Sequence, residues 1–176
     1  MRTTIAAAAA IAGMLLAPPL IAGPERIAFP EGFAEDWVLY NQVDRPDRKR
    51  IRFMYVNPEA DAAARPGEPA PDGAVLVMAD RAAQLDADEN PVLGADGRFV
   101  AEGDFLAIFI MEKHAGWGET VGLDVVANGD WDYAAFRGDG TLNADANTAG
   151  CFACHANRSG RDFTFTFFKN VLDRDN

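Results

Sequence analysis

Phe105-Leu106-Ala107-Ile108-Phe109-Ile110-Met111 is the stretch on which the fold turns. An unbroken apolar run this short, rich in aromatic and β-branched side chains, reads as a strand. Alternate side chains of a strand point to opposite faces, so Phe105, Ala107, Phe109 and Met111 share one face while Leu106, Ile108 and Ile110 share the other. Both faces are apolar, which predicts a central strand covered on both sides.

Outward from it, similar runs at residues 37–43, 51–56, 74–79 and 131–136 predict further strands. Residues 44–50 and 86–97 read as loops. Residues 61–73, interrupted by Pro66, Pro69 and Pro71, are predicted to form no regular element. One helical turn is expected at 31–36 and a helix at 143–155, while 163–168, where Phe alternates with Thr and Phe, reads as strand-like or as an extended tail. No repeat and no linker divides the chain, so residues 23–176 are expected to form one domain.

Residues 1–22 have the pattern of a secretory leader: Arg2 at the start, an apolar run from Ile5 to Leu16, then Pro18-Pro19. The run is too short for a stable membrane span. Cleavage is expected after Ala22, because a cut after Gly23 would leave Pro24 immediately downstream. The mature chain should then be exported, to the periplasm in a bacterial cell. The 16 basic and 27 acidic residues give a net charge of −11, and loss of Arg2 leaves 15 against 27, or −12. A field of that sign repels nucleic acid and anionic membrane surfaces, which are therefore not expected partners.

Two cysteines in an exported protein would ordinarily suggest a disulfide. Here they stand in Cys151-Phe152-Ala153-Cys154-His155. Cys-x-x-Cys-His is the attachment signature of a c-type haem: two thiols bind the porphyrin, and the adjacent imidazole is placed under the iron. A thioredoxin-like pair would need a strand and helix arrangement that this sequence lacks. Zinc would need two more ligands, of which only His114 remains. One covalent haem, with His155 on the metal, is the reading that uses all three residues.

The context of this motif resembles the cytochrome P-460 and cytochrome c′-beta proteins. Asp162-Phe-Thr-Phe-Thr-Phe-Phe168 after the haem motif is similar to the end of that family. Glu31-Gly-Phe-Ala-Glu-Asp-Trp37, Tyr55-Val-Asn-Pro58, Pro71-Asp-Gly-Ala-Val-Leu-Val77 and Gly129-Asp-Trp-Asp-Tyr-Ala-Ala-Phe136 resemble its other segments, in the same order. The resemblance implies a mainly β, α+β fold, an antiparallel sheet with short helices, the haem motif on a C-terminal helix, one haem per subunit and a homodimer. It also marks two departures. Met78 stands where the hydroxylamine-oxidising branch has a Lys crosslinked to the porphyrin, and Lys113-His114 stands where the family has Lys-Asp. Both weaken an enzymatic reading as an oxidoreductase acting on hydroxylamine.

What lies opposite His155 decides among the remaining functions. Met54, Met78, Met111, His114 and the lysines Lys49, Lys113 and Lys169 are the candidates. Met78 is preferred as sixth ligand, since the resemblance places its position against the porphyrin; the alternative is that it fills the core. Phe109 and Met111 share a strand face and would roof an open haem face with apolar bulk, or equally serve the core. His114, after Glu112-Lys113 at a strand end, reads as a surface histidine. Arg45, Arg48, Lys49, Arg50 and Arg52 could meet haem propionates or an acidic partner, or form a solvated loop. Two functions follow: an electron carrier with a redox partner protein, or a protein binding a small gas such as NO.

Overall fold

Sequence order is spatial order in the sheet that this chain builds. The computed structural model describes residues 23–122 and 125–174, and the leader predicted at 1–22 lies outside them. The five strands are β1 (Val38–Arg45), β2 (Arg50–Val56), β3 (Val75–Ala83), β4 (Ala101–Lys113) and β5 (Trp131–Arg137). They form one antiparallel sheet in the order β1-β2-β3-β4-β5. Four short helices accompany them: α1 (Phe33–Asp36), α2 (Pro58–Ala63), α3 (Thr148–Ala156) and α4 (Phe167–Asp173). The fold is thus mainly β with short helices, and α3 carries the Cys-x-x-Cys-His motif.

The predicted central strand pairs on both edges, with β3 and β5. One face of the sheet holds Val77, Ala79, Ile108, Ile110, Ala134 and Phe136, covered by Ile27, Phe29 and Phe33 from the N-terminal segment and α1. The other holds Val56, Leu76, Met111 and Tyr133, packed against Phe152 of α3 and Phe167 and Val171 of α4. Ile108 and Ile110 are almost wholly out of solvent, and burial of each such side chain stabilises the sheet by about 1.5–3 kcal/mol. Leu106 is the exception on this strand: it lies near the outer end and is exposed.

Several elements depart from the sequence reading, each for a physical reason. Strand β4 begins at Ala101 rather than Phe105, because Ala101 and Glu102 pair with Ala83 and Ala82. That pairing recruits the Ala-Glu-Gly-Asp stretch, which has no apolar alternation of its own. Helix α2 takes residues 61–63 from the segment predicted irregular; Pro58 at its first position presets the backbone for a helix. The helix expected over 143–155 starts only at Thr148, where the Asn147 side chain accepts a hydrogen bond from the Gly150 amide (3.0 Å) and caps it.

Residues 163–168 are not a strand. Asp162 and Phe163 both adopt left-handed backbone conformations (φ 48° and 57°), and α4 starts at Phe167. The Phe163 amide donates to the Arg158 carbonyl (2.9 Å), and buried Phe167 packs edge-on against Tyr40 at 5.5 Å. Tertiary anchoring overrides the period-2 pattern there.

Candidate functional site

The register of the sheet assembles one wall of a cleft. Met54 of β2, Met78 of β3 and Phe109 of β4 lie side by side in one cross-strand row, and directly opposed residues of an antiparallel pair share a face. Leu76 and Met111 form the adjacent row towards one end of the sheet. At the other end, Arg52 and Asp80 are directly paired. A bulge in β1 between Leu39 and Asn41 leaves Tyr40 out of register, and such a bulge re-aims a side chain. Tyr40 is thereby turned onto the cleft.

Helix α3 supplies the opposite wall. Residues three and four apart share a helix face, so Cys151, Cys154 and His155 all present to the same side. Phe152, on another side, is buried edge-on against Tyr133 at 4.8 Å. Its carbonyl accepts from the Nδ2 of Asn128 (3.0 Å), a residue with no solvent exposure that also donates to the Tyr133 hydroxyl (2.9 Å). The helix is thus pinned at Phe152, one of the two residues between the thiols.

Between these walls is a cleft of about 450 Å³. The six residues singled out from the sequence all border it: Met78, Phe109 and Met111 from the sheet, and Cys151, Cys154 and His155 from α3. Burial pushes the Cys151 thiol above its usual value and the His155 imidazole below its own. The imidazole is therefore neutral near pH 7, the form that ligates a metal. Its Nδ1 makes a 2.7 Å hydrogen bond to the Phe163 carbonyl. A carbonyl only accepts, so Nδ1 carries the hydrogen and Nε2 is left with its lone pair. The ring is held between Tyr133 and Phe165, with centroids 5.0 and 4.9 Å away.

The methionines differ in what their sulfurs do. Met54 Sδ accepts from Thr166 Oγ1 (3.1 Å) and Asn41 Nδ2 (3.7 Å). The Met78 sulfur makes no such bond among the described residues. Thr166 Oγ1 also lies 3.4 Å from the Tyr40 hydroxyl, and burial raises the Tyr40 phenol to about 12.

Of the basic residues at 45–52, Arg52 is the one that borders the cleft. Its Nε and Nη2 donate to both oxygens of Asp80 (2.8 and 2.9 Å), and the carboxylate is almost fully buried. Arg45 and Lys49 face outward, paired with Asp47 (3.0 Å) and Glu89 (3.1 Å). His114 does not border the cleft; it is half-exposed, 2.7 Å from Glu112 Oε1, with its ring 4.6 Å from that of Trp117. The sequence reading passed over Tyr40, Tyr133, Phe165 and Thr166. The Phe-Thr alternation at 163–168 is the visible signal for Phe165 and Thr166, and Tyr133 stands in the quoted segment 129–136.

The residues fit a haem on the chemistry of the donor set. Two free thiols and a neutral, carbonyl-oriented imidazole face an apolar sheet wall across a cavity. Such a site on such a sheet defines a c-type haem protein. The cytochrome P460 family model matches residues 30–166, most of the chain, so the chain belongs to that family. A search of curated proteins returned no match. Among the described residues, no helix is long and apolar enough to cross a membrane.

Proposed function

We propose that the protein is a periplasmic cytochrome with one covalently bound haem, axial ligands His155 and Met78, and a role in electron transfer to or from a partner protein. The haem supplies an iron that cycles between ferric and ferrous states. Cys151 and Cys154 would each add across one vinyl group, sulfur to one carbon and hydrogen to the other, a step that consumes no oxidant. His155 would ligate through Nε2. The observation that carries the sixth-ligand assignment is the contrast among three methionines on one cleft wall: the Met54 sulfur is engaged by Thr166 and Asn41, Met111 is buried in the core cluster with Phe152, and Met78 is tied in neither way. A thioether opposite a histidine favours the ferrous state and raises the potential. The leader-like residues 1–22 support export, and the family resemblance supports a homodimer.

A second reading has its own observation. Leu76, Phe109 and Met111 give the cleft an apolar wall, which suits NO or CO better than a ligand that needs a proton donor. Ferric absorption spectra separate the two. His/Met ligation predicts a low-spin ferric spectrum with a sulfur-to-iron charge-transfer band that disappears in Met78→Ala. A high-spin ferric wild type that takes up CO rapidly when reduced would refute electron transfer through Met78 and leave the gas-binding reading.

A further inference from the structure

His155 is oriented by the hydrogen bond that its Nδ1 donates to a carbonyl whose position is costly to hold. Phe163 O belongs to the second of two consecutive left-handed residues, Asp162 and Phe163, neither of them glycine. Side chains with a Cβ rarely adopt this conformation even singly. It persists where neighbouring structure over-determines it, and such strain tends to collect at functional positions.

Three anchors converge on Asp162. Its carboxylate Oδ2 accepts from Lys113 Nζ (2.9 Å) and from the Ala70 amide (2.9 Å). Its carbonyl accepts from the indole Nε1 of Trp131 (3.0 Å), a residue with no solvent exposure. Lys113 itself also donates to the Ala70 carbonyl (2.9 Å). The Lys113–Asp162 pair is largely buried, with side-chain exposures of 14% and 12%. The next residue is fixed as well: the Phe163 amide is bound to Arg158 O, and its ring rests on Gly129, where a Cβ would come within 3.2 Å.

We infer that Lys113 and Asp162 are positioning residues for the proximal histidine: their ion pair holds the left-handed turn that aims the Phe163 carbonyl at His155 Nδ1. The proposal rests on the reading of His155 as an axial ligand. A hydrogen bond of this kind fixes the tautomer and raises the basicity of the ligating nitrogen, which stabilises ferric iron. Loss of the anchor should therefore raise the midpoint potential. A merely structural ion pair would lower stability and leave the potential where it was.

The test uses the mature, haem-loaded protein, with redox titration, and with resonance Raman of the ferrous iron–histidine stretch recorded for each protein in a Met78→Ala background, because that stretch is seen where the sixth position is empty. Asp162→Ala removes the anchor and keeps the strained backbone. Its potential should rise, and its iron–histidine frequency should fall. Asp162→Gly adopts the same conformation without strain, so it should return both quantities towards the wild-type values. Lys113→Met provides the same test should Asp162→Ala fail to fold, and it should also raise the potential. Haem-loaded Asp162→Ala or Lys113→Met with wild-type potential and stretch overturns the proposal and leaves the haem reading intact. A ferrous Met78→Ala protein with no iron–histidine stretch overturns the axial assignment of His155, and the positioning role falls with it.

Discussion

Arg52→Met is the substitution whose cost can be worked most directly from the geometry. The wild-type guanidinium reaches both oxygens of Asp80 at 2.8 and 2.9 Å, and the carboxylate side chain is only 5% exposed. Methionine keeps much of the aliphatic stem and removes both donors. An ion pair this buried contributes little net stability when intact, but breaking it leaves a desolvated charge without a partner, which costs about 3–5 kcal/mol. For a chain of this length each kcal/mol lowers Tm by roughly 2–4 °C, so the variant should melt about 6–20 °C below wild type. Urea denaturation of the haem-loaded protein is the assay. Arg52→Met/Asp80→Leu, which replaces the pair with apolar bulk, should recover most of the loss. A single variant that loses under 1 kcal/mol would refute the reasoning.

Two further outcomes follow from local geometry. Burial raises the Tyr40 phenol from 10 to about 12, so above pH 10 the unfolded chain ionises first and this group costs the fold about 1.4 kcal/mol per pH unit until pH 12; burial raises Tyr55 and Tyr133 as well, so Tyr40→Phe should show an alkaline loss smaller by that amount, and parallel urea midpoints for the two proteins from pH 9 to 12 would contradict it. Asn147→Ala removes the cap whose Oδ1 accepts from the Gly150 amide at 3.0 Å, and should lower stability by about 1 kcal/mol while the haem spectrum is unchanged.

The parts legible in the sequence are those fixed by local pattern. Phe105–Met111 alternates apolar residues to both faces, and the structure makes it the interior of β4, paired on both edges. The chemistry of Cys151, Cys154 and His155 is written in their spacing, and their placement on one helix face needs only the period of α3. The turn at Asp162-Phe163 is a different case. Its conformation is imposed by Lys113, Ala70 and Trp131, all distant in sequence, and no local pattern announces it. The Arg52–Asp80 pair likewise depends on the β2–β3 register, and the turn of Tyr40 onto the cleft depends on a bulge. Helix α2 was readable from Asn57-Pro58, since proline suits a first helical position. The prolines further along the segment concealed it.

The most direct measurement of the central claim is the intact mass of the exported protein, taken under denaturing conditions that strip any non-covalent group. A chain bearing the haem on Cys151 and Cys154 should weigh the polypeptide 23–176 plus one complete haem, and it should keep its colour after denaturation. A mass equal to the polypeptide alone, from cells able to mature other c-type cytochromes, would contradict the account.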